Sequence, residues 1–189
     1  PASEEYTFAV IADHVLGRKP GPVVTNCCTT RMIDDIASRY GAPVVKTPVG
    51  QAYVIAAVMD EQGVIGGEGS GSVALPGFSR AFDGFLMMAL ILEAMAKKGK
   101  PLGGLIKALP RYHIVKKRVP CDSRRGYRAL ELLKDTLRAS PGASVDYTDG
   151  IRVDWEDGWV HVRASQTEQM VRVISESKNR QVAEQRADD

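Results

Sequence analysis

The sequence predicts a three-layer α/β domain followed by a smaller α+β domain. Over residues 1–109, short apolar runs alternate with segments of helical periodicity, which is typical of a largely parallel sheet covered by helices. Over residues 110–177 the order changes to one strand, one amphipathic helix and a strand meander, which is typical of an α+β domain. The last residues, 178–189, form a polar tail that we expect to be a frayed helix or disordered.

The first domain is expected to begin with repeated strand and helix units. The strand candidates lie at residues 21–28, 42–47, 64–67 and 72–76, and the helix candidates at residues 29–41, 49–63 and 83–100. Asp83 can cap the amino end of the last helix, while Lys97 and Lys98 lie at its negative carboxyl end. Because the body of this helix is almost wholly apolar, we expect it to be a core helix.

The second domain is expected to begin with a half-exposed strand at residues 112–121, where polar and apolar side chains alternate. An amphipathic helix follows at residues 123–140. Its predicted apolar face consists of Tyr127, Leu130, Leu133 and Leu137. Four strand candidates complete the domain, at residues 143–148, 150–155, 158–163 and 170–177. The dipeptides Asp149-Gly150 and Asp157-Gly158 predict hairpin turns between the first three of them.

Composition excludes several classes of protein. The chain carries 25 basic and 23 acidic residues, and this balance argues against nucleic acid as the main partner. Its longest apolar stretch, Gly84–Leu92, is shorter than the ~20 residues that span a bilayer, so we expect no membrane partner. The three cysteines fit neither a metal-binding spacing nor a disulfide framework. With no signal peptide recognised, we expect a cytoplasmic protein.

A glycine-rich loop at Gly66–Ser72 is the first candidate site. No Gly-Lys-Ser/Thr follows it, which excludes a P-loop, and the next element is a strand, which excludes a dinucleotide fingerprint. Its glycines would allow close approach of a ligand to the backbone. Glu68 can only accept hydrogen bonds and Ser70 can both donate and accept, a pair that suits the hydroxyls of a sugar. The alternative is a flexible turn with a solvent-facing glutamate.

The second candidate is the connection between the last two strands, within Val162–Val173. Arg163 carries a planar fork of donors that matches two phosphate oxygens. Ser165, Gln166 and Thr167 can donate through side chains and through successive backbone amides, which together form an anion-binding concavity. The connection contains no Gly, Asn or Pro, the usual turn residues, and this favours a phosphate site over the alternative of an arginine-rich hairpin tip.

In their order along the chain, these loops resemble the α-D-phosphohexomutase superfamily, which includes phosphoglucomutase, phosphomannomutase and phosphoglucosamine mutase. The resemblance runs from about Glu4 to Glu176. The stretches that carry it are GGEGSG (66–71), like the family's sugar-binding loop; RASQTEQ (163–169), like its phosphate-binding loop R-x-S-N/G-T-E-P; and TPVGQAYV (47–54), AFDGF (81–85) and DGIRV (149–153), like flanking segments. It implies the third and fourth of the family's four domains, the fourth having a TATA-box-binding-protein-like fold.

The resemblance assigns sugar recognition to the first domain. Glu68 and Ser70 would hold the sugar hydroxyls, and Gly50 and Gln51 would belong to a loop that helps to distinguish substrates. Gln51 stands where glucose and mannose enzymes often have His, and Ser72 stands where many members have His. The sugar itself is therefore left open.

The resemblance assigns phosphate binding to Arg163, Ser165, Gln166 and Thr167, with Gln169 in place of the family's usual Pro. It also implies that catalysis needs two preceding domains, one carrying a phosphoserine and one carrying an Asp-x-Asp-x-Asp-Arg loop that binds Mg²⁺. We find neither motif in this sequence, so we expect no catalytic residue and no metal site here, and an isolated chain that is inactive.

The predicted function is the C-terminal sugar- and phosphate-binding half of a phosphohexomutase. The full-length enzyme would interconvert hexose 1-phosphate and hexose 6-phosphate, of glucose or mannose, through a hexose 1,6-bisphosphate intermediate that also serves as activator. Its partners would be the phosphorylated hexose and the missing N-terminal domains of the same protein. The alternatives are a phosphoglucosamine mutase and a non-catalytic module that binds sugar phosphates.

Overall fold

The structure, a computed structural model, describes residues 3–137, 142–165 and 168–189. It divides between Arg111 and Tyr112 into two compact units, two residues beyond the boundary expected from the sequence. Within the described ranges, every helix is too short or too polar to cross a membrane.

The first unit is the predicted α/β domain. Its sheet has the strand order β2-β1-β3-β4, in which the first three strands are parallel and the fourth is antiparallel. Its elements are α1 (Glu5–Leu16), β1 (Val23–Asn26), α2 (Met32–Arg39), β2 (Val44–Thr47), α3 (Gln51–Asp60), β3 (Ile65–Gly67), β4 (Val73–Ala74), α4 (Gly84–Lys98) and α5 (Leu102–Lys107). The predicted alternation of strands and helices is confirmed, and α1 and α5 are additions to the helix candidates. The two glycines of α5 lower its helix propensity, so the sequence gives little sign of it.

Helices cover both faces of this sheet, as the three-layer prediction requires. Adjacent residues of a strand point to opposite faces. At Gly66 an added Cβ would meet Val58 of α3 at 2.3 Å, whereas at Gly67 it would meet the ring of Phe8 of α1 at 2.6 Å. Helices α3 and α1 therefore lie on opposite sides of β3.

Helix α4 begins as predicted, because Asp83 Oδ1 accepts a hydrogen bond from the Leu86 amide at 2.9 Å. The prediction that α4 is a core helix is wrong for one face of the helix. Leu86 and Leu90 are buried, but Phe85 is 83% exposed and Leu92 is 64% exposed. The helix packs on α1 and α5 through a single stripe of side chains, so composition alone overestimates its burial.

The second unit is the predicted α+β domain. Its five strands form one antiparallel sheet in the order β5-β9-β8-β7-β6. Its elements are β5 (His113–Pro120), α6 (Ser123–Leu137), β6 (Ser144–Asp146), β7 (Ile151–Trp155), β8 (Gly158–Ala164), β9 (Met170–Ser177) and α7 (Arg180–Asp188). Both predicted hairpins are confirmed by the pairing of β6 with β7 and of β7 with β8.

Helix α6 packs on one face of this sheet, where Leu130 contacts a cluster that includes Val153, Val162 and Val171. Tyr127, which the periodicity places on the same face, is 55% exposed instead. Gly126 explains the difference, because its Cα faces the sheet and an added Cβ would lie 3.2 Å from Val171. The adjacent Tyr127 is consequently rotated outward. The side chain of Leu137, also expected on this face, lies outside the described atoms.

The polar tail expected at residues 178–189 is a capped and packed helix, α7. Asn179 Oδ1 accepts a hydrogen bond from the Gln181 amide at 2.9 Å, which satisfies one donor at the helix start. Arg186 binds the Asp157 carboxylate at 2.9 Å and lies 4.2 Å from the centre of the Trp155 ring. These contacts with residues about 30 positions away order a segment whose composition resembles that of a disordered tail.

Candidate functional site

In the first unit, two of the predicted loops lie at the same edge of the sheet. Parallel strands β1, β2 and β3 all end there, and ligands of open α/β sheets bind at this carboxyl edge. Gly50 and Gln51 follow β2, whereas Glu68 and Ser70 follow β3. The structure therefore brings the predicted specificity loop and the predicted sugar loop to one edge, with β1 between their strands.

The sugar loop, defined here as residues 68–72, is a tight turn. The Gly71 amide donates to the Glu68 carbonyl at 2.9 Å, and the Glu68 amide donates to the Ser72 carbonyl at 3.0 Å. Ser70 is exposed, and its hydroxyl lies 3.3 Å from that of Ser72. Glu68 Oε1 is buried and has no hydrogen-bond partner among the described residues. Such an oxygen lacks a donor that a sugar hydroxyl could supply.

The glycines around this loop allow close approach of helix α1. The close approach of a ligand that the sequence suggests stays a prediction. An added Cβ at Gly67 would lie 2.6 Å from the Phe8 ring, and one at Gly69 would lie 2.5 Å from the Glu5 carboxylate. Gly71 has a φ of +89°, a backbone conformation that residues other than glycine rarely adopt. The glycines therefore seat the loop on the first turns of α1.

A buried network of hydroxyl groups supports the loop from the end of β1. The Thr29 hydroxyl accepts from the Gly69 amide at 3.2 Å and donates to Asn26 Oδ1 at 3.0 Å. The Thr25 hydroxyl donates to the Gly67 carbonyl at 2.9 Å. Sequence reasoning missed these positioning residues, although a run of polar residues directly after a buried strand was a visible signal.

The specificity loop places Gln51 at the surface. Gly50 caps helix α3 with a φ of +144°, a conformation that favours glycine, so this residue sets the direction in which the helix begins. The Gln51 side chain is exposed and lines a shallow depression together with Ile55 and Arg80. Gln51 can thus contact a ligand, and its amide can both donate and accept hydrogen bonds.

In the second unit, the predicted phosphate loop joins β8 to β9, and of its residues Gln166 and Thr167 lie outside the described ones. The Ser165 amide donates to the Met170 carbonyl at 2.9 Å, which closes the base of the loop. Ser165 Oγ accepts a hydrogen bond from the Glu168 amide at 3.2 Å. A hydroxyl that accepts in this way keeps its own proton for donation, so Ser165 can still bind an anion.

Arg163 is held by an acidic side chain of the neighbouring hairpin. Its Nη1 donates to Asp149 Oδ2 at 3.0 Å, and its side chain is only 13% exposed. Asp149 belongs to the turn that Gly150 makes possible with a φ of +77°. The sequence predicts Asp149 as a turn residue only, whereas the structure shows that it also orients a guanidinium predicted to bind phosphate.

Strand pairing adds two arginines beside Arg163. Arg172 of β9 lies directly opposite Arg163 on one side and Arg118 on the other, so the three form a row across one face of the sheet. Their neighbour Val171 faces α6, so the row lies on the opposite face. Like charges placed opposite each other destabilise a sheet unless an anion compensates them. Arg172 pairs with Glu168, but its Nε is buried with no partner within the described ranges.

Sequence reasoning missed Arg118 and Arg172 because their proximity depends on strand register, which the chain shows only after pairing. No three carboxylates converge among the residues that the structure describes. The described residues therefore do not fit Mg²⁺, which prefers an octahedral set of oxygen ligands.

Two family models match the chain. The first, "Phosphoglucomutase/phosphomannomutase, alpha/beta/alpha domain III", matches residues 3–112, and the second, "Phosphoglucomutase/phosphomannomutase, C-terminal domain", matches residues 117–189. Together they account for nearly all of the chain.

The chain is 40% identical over 178 residues to a phosphoglucomutase/phosphomannomutase of Thermococcus kodakarensis, an alignment that covers 94% of this chain and 39% of the relative. It is 32% identical over 189 residues to a protein named "Probable phosphoglucosamine mutase" from Methanopyrus kandleri, covering 100% of this chain and 42% of the relative. A crystal structure of a phosphoglucomutase/phosphomannomutase family protein from Burkholderia thailandensis superposes with a TM-score of 0.80 at 25% identity, over 98% of this chain and 40% of that one. The chain thus spans about two fifths of the length of these relatives.

Proposed function

The chain belongs to the phosphoglucomutase/phosphomannomutase family, and we propose that it is the part of a phosphohexomutase that binds the sugar and the non-reacting phosphate of the substrate. The observation that carries this proposal is the buried Glu68 Oε1, which has no donor among the described residues and lies at the carboxyl edge of the sheet. A sugar hydroxyl supplies the missing donor.

In this proposal the full-length protein interconverts hexose 1-phosphate and hexose 6-phosphate through a hexose 1,6-bisphosphate. Glu68 and Ser70 bind the hydroxyls, while Gln51 contributes to the choice of sugar. Arg163, Ser165, Gln166 and Thr167 bind the phosphate that is not transferred. The phosphoserine and the Mg²⁺ site belong to domains outside this chain, and no step here involves the metal.

The contribution of these residues to catalysis is positioning. Phosphoryl transfer needs the attacking oxygen and the phosphorus in line, and binding interactions that fix the rest of the substrate provide that alignment. The bisphosphate must be held in two orientations, because either phosphate is transferred in turn. Acceptors for hydroxyls and a separate anion site recognise groups that both orientations present.

Glucose and mannose phosphates are the first substrates to test, given the 40% identity to the Thermococcus kodakarensis protein. Glucosamine phosphate is the second candidate, because the match to the Methanopyrus kandleri protein covers the whole chain. Gln51 and Ser72 lie at the carboxyl edge where these sugars would differ in their contacts.

The test is amide-resolved NMR of the ¹⁵N-labelled chain titrated with glucose 6-phosphate, mannose 6-phosphate, glucosamine 6-phosphate and inorganic phosphate. We expect the sugar phosphates to shift the amides of residues 68–72, and all four ligands to shift those of Ser165 and Glu168. Glu68→Gln should weaken the response of the sugar loop about tenfold, the loss of one charge-assisted contact. Glu61→Gln is the matched control, an exposed glutamate of the same unit. Absence of any response at residues 68–72 in the unmodified chain would contradict the proposal.

A further inference from the structure

A buried carboxylate lies directly beneath the sugar loop. Glu5 occupies the first turn of α1 and is only 2% exposed. Glutamate is almost never so buried unless other groups compensate its charge. Glu5 lies more than 60 residues before the loop, so the pattern of neighbouring residues in the sequence does not reveal this contact.

The contacts of Glu5 join three segments of the first unit. Its Oε2 accepts a hydrogen bond from the Thr30 amide at 3.3 Å, close to the amino end of α2, where the helix dipole favours negative charge. Its two oxygens lie 2.5 and 2.6 Å from the position that a Cβ on Gly69 would occupy. The carboxylate therefore fills the space next to the Cα of Gly69, the residue that separates Glu68 from Ser70 in the sequence.

The loop is thus held at Gly69 from two directions. On one side its amide donates to the Thr29 hydroxyl at 3.2 Å, and on the other its Cα rests on the Glu5 carboxylate. Movement of Gly69 would change the direction of both neighbouring side chains, because they share its two peptide planes.

We propose that Glu5 is a positioning residue for sugar recognition: its carboxylate fixes Gly69 and thereby sets the geometry in which Glu68 and Ser70 meet the sugar. This inference rests on the proposed function for the identity of the ligand, but the contact with Gly69 does not depend on it. Glu5 acts through the loop and does not touch the substrate. Its removal should therefore affect sugar binding and leave phosphate binding in the second unit unchanged.

The experiment compares Glu5→Gln with Glu4→Gln, the same change at the exposed neighbour. Glu5→Gln keeps the size of the side chain and replaces one oxygen by a donor. We expect it to shift the amides of residues 68–72 in the ligand-free chain and to raise the apparent Kd for glucose 6-phosphate at those amides about tenfold. The Kd for inorganic phosphate at Ser165 and Glu168 should change less than about twofold. Glu4→Gln should match the unmodified chain in every measurement.

A second pair of variants tests the contact even where Glu5→Gln folds poorly. Gly69→Ala places a Cβ against the carboxylate, so it should shift the loop amides and abolish their response to glucose 6-phosphate. The double variant Glu5→Ala with Gly69→Ala removes the collision and should restore the amide shifts of the flanking residues toward those of Glu5→Ala alone.

Loop amides that are unchanged in Glu5→Gln would overturn the inference, and so would equal weakening of both ligands, which indicates general loss of structure. Additive effects in the double variant would overturn it as well. In a third outcome, Glu5→Gln shifts the loop amides of the ligand-free chain, but no sugar phosphate shifts the loop amides of the unmodified chain. This outcome would overturn the proposed function and leave the contact of Glu5 with Gly69 established.

Discussion

At the scale of single residues, the Asp149 carboxylate orients the Arg163 guanidinium. The 3.0 Å contact uses Nη1 and leaves other donors of the guanidinium for an anion. A partly buried arginine that is already paired loses less side-chain entropy when it binds phosphate. Under the proposed function, the pair would serve both the stability of the hairpin and the recognition of phosphate.

Arg163→Ala should weaken binding of inorganic phosphate to the chain about 10- to 100-fold, because one charge-assisted contact contributes about 1.5–3 kcal/mol. It should also lower the Tm, since the ion pair between Arg163 and Asp149 is lost at a site where both side chains are largely buried. The phosphate affinity would be measured from the Ser165 and Glu168 amide shifts. Arg180→Ala, at an exposed arginine of α7, is the control. Unchanged phosphate affinity in Arg163→Ala would remove this residue from the site.

At the scale of elements, a cluster around Glu93 fastens α4 to α1. The Glu93 carboxylate lies 2.8 Å from Arg18 Nη1 and 3.0 Å from His14 Nε2, both on or beside α1, and 2.8 Å from Lys97 Nζ on its own helix. The buried His14 is thus part of this cluster. The hydrogen bond from Lys97, followed by that with His14, lowers the pKa of Glu93 from 4.5 to about 2.

A carboxylate whose pKa is lower in the folded than in the unfolded chain stabilises the fold above pH 4.5, and that stabilisation is lost as the pH falls from 4.5 through about 2. Glu93→Gln should therefore lower the Tm at pH 7, and its difference from the unmodified chain should shrink between pH 4.5 and pH 3. Thermal unfolding followed by circular dichroism at pH 7, 4.5 and 3 checks this. Glu61→Gln, at an exposed glutamate of the same unit, is the control substitution. A Tm difference for Glu93→Gln that stays constant over this range would contradict the assignment.

At the scale of the whole molecule, each unit contains its own loop and the residues that support it. The sugar loop depends on Glu5, Thr25 and Thr29 of the first unit, and the phosphate loop depends on Asp149 and its sheet in the second. Each unit also has its own buried cluster, around Val24 in the first and Ile151 in the second. The two loops are therefore supported separately, each by residues of its own unit.

Two fragments, residues 1–111 and 112–189, should each fold when produced separately. The contacts described above that support each loop come from residues of the same unit. Fragment 112–189 should show the same phosphate-induced shifts at Ser165 and Glu168 as the whole chain. Fragment 1–111 should keep the Gly69 amide protected from hydrogen exchange by its bond to Thr29. A collapsed NMR spectrum for either fragment would contradict this separation, and the whole chain serves as the reference.

The local features of the fold were predictable from the sequence because each has a local cause. Asp83 caps α4 with its own side chain, and the dipeptides at 149–150 and 157–158 form turns through their own backbone preferences. The order of the loops likewise identified the family, which the family models confirm. The assignment of individual residues to sugar and phosphate remains a prediction.

Features that depend on distant pairs of residues were decided by the tertiary structure alone. The glycines at 67 and 69 are required by Phe8 and Glu5, about 60 residues earlier, and the arginine row exists only in the register that joins β5, β9 and β8. Periodicity and turn chemistry describe the preferences of neighbouring residues. They do not describe which distant side chain a loop will contact. The sequence therefore determined the elements and their order, whereas packing determined how Glu68 and Arg163 are held.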